Sequence, residues 1–180
     1  LKVSEQIIDK MNFKHFMLKE IYDQPDTAKN WVKNYVTQNV DNGQYQIKYP
    51  FDTKFFDSIE RIEIIACGTS KHAAMVGCFL LEQFSGIPTN VYYASEFRYS
   101  PPPLLPNTLT IGVSQSGETA DTIAAIDMEI KRRSLIKDKI FKPNLIAITN
   151  RRESSIGRQV SNIIDICAGI EVGVAATKTF

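Results

Sequence analysis

The stretch Arg61-Ile62-Glu63-Ile64-Ile65-Ala66-Cys67-Gly68-Thr69-Ser70 sets the pattern for most of the chain. A β-branched run ends in a glycine and small hydroxyl residues. The segment that follows, Ser70 to Ser85, then places Ala73, Val76, Leu80, Leu81 and Phe84 at helical spacing. That is a strand entering a helix through a tight turn. Further out, comparable runs occur at Asn90 to Ala94, Thr108 to Val113, Asn144 to Thr149 and Asn162 to Cys167. Helical segments alternate with them: Thr119 to Arg133, with Ala120, Ile123, Ile126 and Ile130 on one face, and a short turn near Ser155 to Val160. Strand and helix in alternation predict parallel strands joined by right-handed crossovers, hence an α/β fold with a doubly wound parallel sheet.

Residues 1 to about 50 read differently. Phe13, Phe16, Met17 and Ile21 recur at helical spacing, and Ala28, Trp31, Val32, Tyr35 and Val36 do so again after Pro25. Pro25 is expected in the first turn of that second helix, where its missing N–H costs nothing. Asp41-Asn42-Gly43 then breaks the pattern, and a polar linker runs through Gln46 and Lys48. The chain therefore divides into a helical lead-in and linker, 1–50, and an α/β domain, 51–180.

Composition narrows the partners. Lys and Arg number 21 against 20 Asp and Glu, a net charge of +1, so the long-range field that collects nucleic acid or an anionic membrane is missing. The N-terminus, Leu1-Lys2-Val3-Ser4-Glu5, lacks the apolar region of a signal peptide, and the apolar stretch around Met75 to Leu81 is far short of the roughly 20 residues of a membrane span. Cys67, Cys78 and Cys167 are odd in number and lack C-x-x-C spacing, which predicts neither a disulfide scaffold nor a zinc site and suits a reducing cytoplasm. Because Leu1 is not a starting methionine and Phe180 follows an apparent helix start, the chain reads as a piece of something longer.

Ligands of doubly wound sheets bind beyond the carboxyl ends of the strands. The first run ends there in Cys67-Gly68-Thr69-Ser70 and the third in Ser114-Gln115-Ser116-Gly117-Glu118-Thr119. Each turn brings free N–H groups and hydroxyls to the positive end of a helix, an anion site without a cation. Gly68 and Gly117 let the backbone come close to a ligand. Serine and threonine also serve as ordinary N-caps, but two such turns exceed what capping requires. With no G-x-x-x-x-G-K-[ST] and no G-x-G-x-x-G in the first turn, the expected ligand is a small phosphorylated metabolite.

These turns, together with Ala94-Ser95-Glu96-Phe97-Arg98-Tyr99 and Glu171-Val172-Gly173-Val174-Ala175-Ala176-Thr177-Lys178-Thr179-Phe180, closely resemble motifs of the sugar isomerase (SIS) domain. They resemble in particular the isomerase region of the glutamine-dependent fructose-6-phosphate aminotransferase family. His15-Phe16-Met17-Leu18-Lys19-Glu20-Ile21-Tyr22-Asp23-Gln24-Pro25 is similar to that family's segment after its glutaminase domain.

The resemblance implies a five-stranded SIS sheet, the first of two such modules in residues 51–180, and conversion of fructose 6-phosphate and glutamine into glucosamine 6-phosphate. By the same resemblance Ser70, Ser114, Gln115, Ser116 and Thr119 hold the phosphate, while Cys67, Thr69 and Val174 touch the sugar. Ammonia would come from an N-terminal glutaminase domain, and the modules would pair as a homodimer. The proton-transferring base, the reactive lysine and a ring-opening histidine belong to a second module and tail. No catalytic residue, metal or cofactor is therefore expected in this chain. Family members usually carry serine where Ala176 stands, which removes any hydroxyl role there.

Other residues have plainer readings. Cys67 lacks a histidine partner for nucleophilic chemistry, and His15 and His72 are too few for a metal set. Lys178 reads as a cap or surface charge, Glu118 as a first-turn acid pointing to solvent or a neighbouring subunit, and Lys131 to Lys142 as a solvated basic loop. Glu171 either orders the ligand-facing loop or lies plainly on the surface. Met75, Cys78 and Phe79 lie off the expected core face of their helix, which predicts an interface there. Two other functions stay open: a non-catalytic sugar-phosphate sensor, which an attached helix-turn-helix would mark, and a stand-alone isomerase, which would need an acid–base pair within these residues.

Overall fold

A computed structural model describes residues 9–180; the N-terminal residues read above for a signal peptide lie outside the described range. Helix α1 (Phe16–Tyr35) leads into a two-stranded antiparallel hairpin, β1 (Val36–Gln38) and β2 (Tyr45–Ile47). Then follow β3 (Arg61–Ala66), α2 (Gly68–Ser85), β4 (Thr89–Tyr93), α3 (Ala94–Phe97), β5 (Thr108–Val113), α4 (Ala120–Ser134), β6 (Asn144–Thr149), α5 (Ser155–Gln159) and β7 (Ile163–Asp165). The strands β3 to β7 form one five-stranded parallel sheet in the order β4-β3-β5-β6-β7. The α/β alternation and the five strands match the sequence reading. No described helix is long and apolar enough to cross a membrane.

Strand order reverses at β3. The chain steps from β3 to one side to make β4, then passes back over it to lay β5 on the other side. Ile62, Ile64, Leu109, Ile111 and Ile146 face α2, while Ile65, Ala125, Ile126, Ala147 and Ile156 pack between the sheet and α3, α4 and α5. The hydrophobic runs serve both faces, as parallel strands require.

Several expectations are corrected. α1 is one helix with Pro25 inside it, not two helices, although the proline ring cannot donate to the Ile21 carbonyl. Contacts on both sides of Pro25 reach the C-terminal third of the chain: Gln24 Nε2 donates to Thr177 O at 3.0 Å, and the Asp165 N–H donates to Tyr35 Oη at 2.8 Å. Val36, read with the helix, instead opens β1, and the linker supplies the turn and β2 of the hairpin. Its turn is built on Asn42-Gly43, with Gly43 at φ +70°, a left-handed position that glycine takes freely.

The face of α2 is turned from the expected one. Ala74, Cys78 and Leu81 pack on the sheet, and the Cys78 thiol donates to Thr89 O at 3.3 Å. Val76, Leu80 and Phe84 are exposed, alongside Met75 and Phe79. Apolar residues almost encircle this helix, so more than one stripe satisfies helical periodicity.

The basic stretch Lys131 to Lys142, which begins inside α4, is only partly solvated. Arg133 and Glu129 are both buried and paired at 2.6 Å, Arg133 Nη1 donates to Leu105 O at 3.0 Å and Arg132 Nη2 to Pro102 O at 2.6 Å. The connection Pro101-Pro102-Pro103 has carbonyls but no N–H groups, so guanidinium donors fix it where backbone donors cannot. Glu63 on β3 joins this cluster and is 2% exposed. Burial and the nearby Glu129 carboxylate push its carboxyl up, against the pull of Arg133, Arg61 and Arg132.

A carboxyl with a raised folded-state pKa binds its proton more tightly in the folded protein. Its contribution to stability is complete below the unfolded value, about 4.3, and is lost as pH rises through the folded one. Glu63→Gln is therefore expected to raise the urea midpoint at pH 7, with the gain shrinking as pH falls toward 4. A midpoint that drops at pH 7 instead would mean that the ionised carboxylate is stabilising.

A cradle at the β3–β5 switch

The two hydroxyl-rich turns leave adjacent strands. Ala66 pairs with Val113 at the ends of β3 and β5, so Cys67-Gly68-Thr69-Ser70 and Ser114 to Thr119 start side by side at the reversal of strand order. The structure thus brings together Cys67, Gly68, Thr69, Ser70, Ser114, Gln115, Ser116, Gly117 and Thr119. Val174 stands apart, fully exposed on a C-terminal segment. That segment nevertheless borders the cradle: Ala176, Thr177 and Lys178 line, with Ser70 and Gln115, a cavity of about 680 Å³ between α1 and the sheet.

Local geometry explains the small residues. Cys67 and Thr119 are the N-caps of α2 and α4, yet neither side chain makes a capping bond. Gly68, at φ +54°, faces open space. Within the second turn, Ser114 Oγ accepts the Gly117 N–H at 3.1 Å and bonds Thr119 Oγ1 at 2.9 Å, and Ser116 Oγ accepts the Glu118 N–H at 3.1 Å. The Ser116 proton is left to donate outward. The Thr69 and Ser70 hydroxyls and the Gln115 amide have no partner among the described residues, and the first-turn N–H groups of α2 and α4 lack acceptors within their own helices. Two helix starts then aim donors and partial positive charge at one place.

The turn is braced from behind. The Asn150 N–H donates to Gln115 O at 3.0 Å, and the Ile156 N–H to Gly117 O at 3.1 Å. At φ +65°, Gly117 has Ser154 where a side chain would go: an added Cβ would lie 2.0 Å from Ser154 Oγ. The requirement for glycine at 117 thus comes from α5 at least as much as from any ligand. Glu118 does not point freely to solvent, since its carboxylate accepts the Ser155 N–H at 2.9 Å and hydroxyl at 2.7 Å. Those two bonds hold the Glu118 carboxyl below the ordinary glutamate range.

Residues outside the motifs also build the site. Asn150, at the end of β6, accepts the Ala168 N–H at 2.9 Å and donates to Gly169 O at 2.5 Å, tying the cradle to the loop after β7. Its position at a strand's carboxyl end was the clue the sequence held. Arg98 in Ala94-Ser95-Glu96-Phe97-Arg98-Tyr99 pairs with Asp121 in the first turn of α4 at 2.5 Å, and Phe97 is buried against Tyr92. Two motifs far apart in sequence are thereby locked together. Glu171 orders the last segment, its carboxylate accepting the Thr177 and Lys178 N–H groups at 2.8 and 2.9 Å and the Thr179 hydroxyl. Lys178 is not a surface charge; its side chain is 7% exposed and faces Asp23 at 3.4 Å. Among the described residues no group of histidine, cysteine and carboxylate side chains is arranged to hold a metal ion.

Comparison with known proteins agrees with this architecture. The chain is 54% identical, over 97% of its length, to glutamine–fructose-6-phosphate aminotransferase [isomerizing] of Thermosynechococcus vestitus, and 50% identical over 98% to the Synechocystis enzyme of the same name. It spans about 28% of the length of each. The C-terminal domain of glucosamine-fructose-6-phosphate aminotransferase from Francisella tularensis superposes with a TM-score of 0.79 at 34% identity, covering 96% of this chain and 45% of that one. Residues 55–180 match the SIS domain, and the chain belongs to that family.

Proposed function

We propose that residues 51–180 are the first sugar-phosphate module in the isomerase region of a glutamine–fructose-6-phosphate aminotransferase. The module binds fructose 6-phosphate for conversion, with glutamine-derived ammonia from a glutaminase domain, into glucosamine 6-phosphate. The observation that carries this is the pair of adjacent hydroxyl-rich turns at the strand-order switch, with unengaged donors on both. Kinship with the aminotransferases then selects the sugar. Gln115, Ser116, Ser70, Ser114 and Thr119 take the phosphate oxygens, and Cys67, Thr69 and Val174 meet the sugar. The free thiols of Cys67, Cys78 and Cys167 fit a reducing cytoplasm.

The two cradle turns carry no lysine or arginine, so their donors are best satisfied by an anion that fits them. Losing one charge-assisted hydrogen bond costs about 1.5–3 kcal/mol, roughly 10- to 100-fold in affinity. Calorimetric titration should show fructose 6-phosphate binding and fructose failing to bind at the same concentrations, with Ser116→Ala weakening the phosphate ester by that factor. Equal affinity for the two sugars would sink the reading.

Catalysis needs a base at C1–C2 and an amine for the carbonyl, and binding that does not favour the transition state gives no rate. We assign neither group to this chain. The purified chain, given fructose 6-phosphate with ammonia or glutamine, should yield neither glucosamine 6-phosphate nor glucose 6-phosphate. Turnover that survives repurification and falls on Ser116→Ala would favour the stand-alone isomerase.

The exposed side of α2 supports a homodimer through the SIS module. Met75, Val76, Phe79, Leu80 and Phe84 are 50%, 54%, 65%, 42% and 81% exposed on one helix, an apolar area that a second module would cover. Cys78, expected in this surface, belongs to the core instead. Light scattering should report a dimer that Phe79→Glu converts to monomer with its thermal unfolding little changed. A monomeric wild type at high concentration would remove the proposal.

A further inference from the structure

The lead-in motif Lys19-Glu20-Ile21-Tyr22-Asp23-Gln24 has no part in the cradle, yet Glu20, Asp23 and Gln24 each contact the C-terminal segment. Glu20 is 2% exposed. Its Oε1 accepts the Val172 N–H at 2.6 Å and the Gly173 N–H at 3.1 Å, and Oε2 lies 3.2 Å from the Gly173 nitrogen. One helical turn on, Gln24 Nε2 donates to Thr177 O at 3.0 Å, and Asp23 faces Lys178 while bonded to Lys19 at 2.6 Å. Glu171 closes the segment from within by accepting the Thr177 and Lys178 N–H groups. Val174 to Ala176 are thus the span left between two tethers.

Gly173 records how close this contact is. A Cβ built there would lie 2.5 Å from Glu20 Oε2, and no other side chain stands in its way. The backbone at Gly173 is not in the left-handed region, so the carboxylate, and not the local conformation, excludes a side chain.

We propose that Glu20 is a positioning residue for sugar recognition: from the lead-in helix it clamps the Val172 and Gly173 amides and so sets the loop that presents Val174 to the sugar. The clamp rests on the reading that this loop meets the sugar while the cradle takes the phosphate. A fixed loop costs less ordering entropy on binding than a free one. The clamp therefore acts on the sugar part of the affinity and leaves the phosphate part alone. It also gives the lead-in helix a role beyond connection, since any movement of α1 is transmitted to residues 172 and 173.

The test uses the 180-residue chain with two probes, fructose 6-phosphate and inorganic phosphate. Glu20→Gln keeps the shape but turns an N–H₂ toward the amides. Gly173→Ala reaches the same contact from the opposite side without a substitution in α1. Each is expected to weaken fructose 6-phosphate by about five- to tenfold, the worth of one or two neutral hydrogen bonds, while phosphate binding stays within about twofold of wild type. In Glu20→Ala/Gly173→Ala the loss should be smaller than the sum of the losses of Glu20→Ala and Gly173→Ala alone, because the oxygen that meets the new methyl is gone. Hydrogen exchange at Val172 and Gly173 should accelerate in Glu20→Gln under conditions where thermal unfolding shows the chain folded. Unchanged fructose 6-phosphate affinity in both single variants overturns the clamp, and so does an equal loss for both probes, which marks a merely structural contact. Failure of the wild type to prefer fructose 6-phosphate over fructose removes instead the functional reading on which the clamp rests.

Discussion

The pairing of β3 with β5, from Arg61 opposite Thr108 to Ala66 opposite Val113, is the constraint on which the rest of the molecule depends. It levels the carboxyl ends of two strands whose following helices depart to opposite faces of the sheet. Two turns thereby begin side by side and diverge, leaving a concave space between helix starts. The register is fixed by what it buries. A slip of one residue would carry Glu63 from its cluster with Glu129 and Arg133 into the apolar face against α2. It would also displace Gly112, where an added Cβ would come within 3.0 Å of Ile126.

Helix α4 links that polar cluster to the cradle. Its first turn is tied to α3 by Arg98 and Asp121, and its last two turns bury Glu129 and Arg133 against the proline-rich crossover. A buried ion pair is weak evidence of net stabilisation, because desolvating two charges offsets much of their attraction. Removing one member is a different matter, since it strands the other charge. The pair therefore acts mainly to hold α4 in one position along the sheet, and the donors at its N-terminus inherit that position.

Strands and motif turns were legible in the sequence because each has a local cause. The β-branched runs locate all five sheet strands to within about two residues at their ends, and glycine with hydroxyls marks both turns of the cradle. Features decided by distant contacts were not legible. Periodicity could not choose among the apolar stripes of α2, so Cys78 was placed outward although it packs inward. Pro25 reads locally as a helix start, whereas α1 runs through it with contacts to distant residues 165 and 177 on either side. The buried stripe of α4 includes Thr122, Glu129 and Arg133, which no hydrophobic pattern selects. The Asn42-Gly43 hairpin was the exception. Its turn is local, but the strands beside it are short and exposed, and so leave no alternating pattern.

The proposed anion site, whose two turns carry no lysine or arginine, raises the question of how acidic residues can stand near it. Glu118 lies within the cradle turn, and Glu171 and Glu20 hold the segment that borders it. Each carboxylate is occupied by backbone N–H groups: Ser155 for Glu118, Thr177 and Lys178 for Glu171, Val172 and Gly173 for Glu20. A carboxylate so bonded directs its lone pairs at the peptide dipoles it organises, and Glu118 adds its charge to the start of α5. The negative charges near the proposed phosphate are thus used to stiffen loops. The donors left over, on Thr69, Ser70, Gln115 and Ser116, are those assigned above to the proposed ligand.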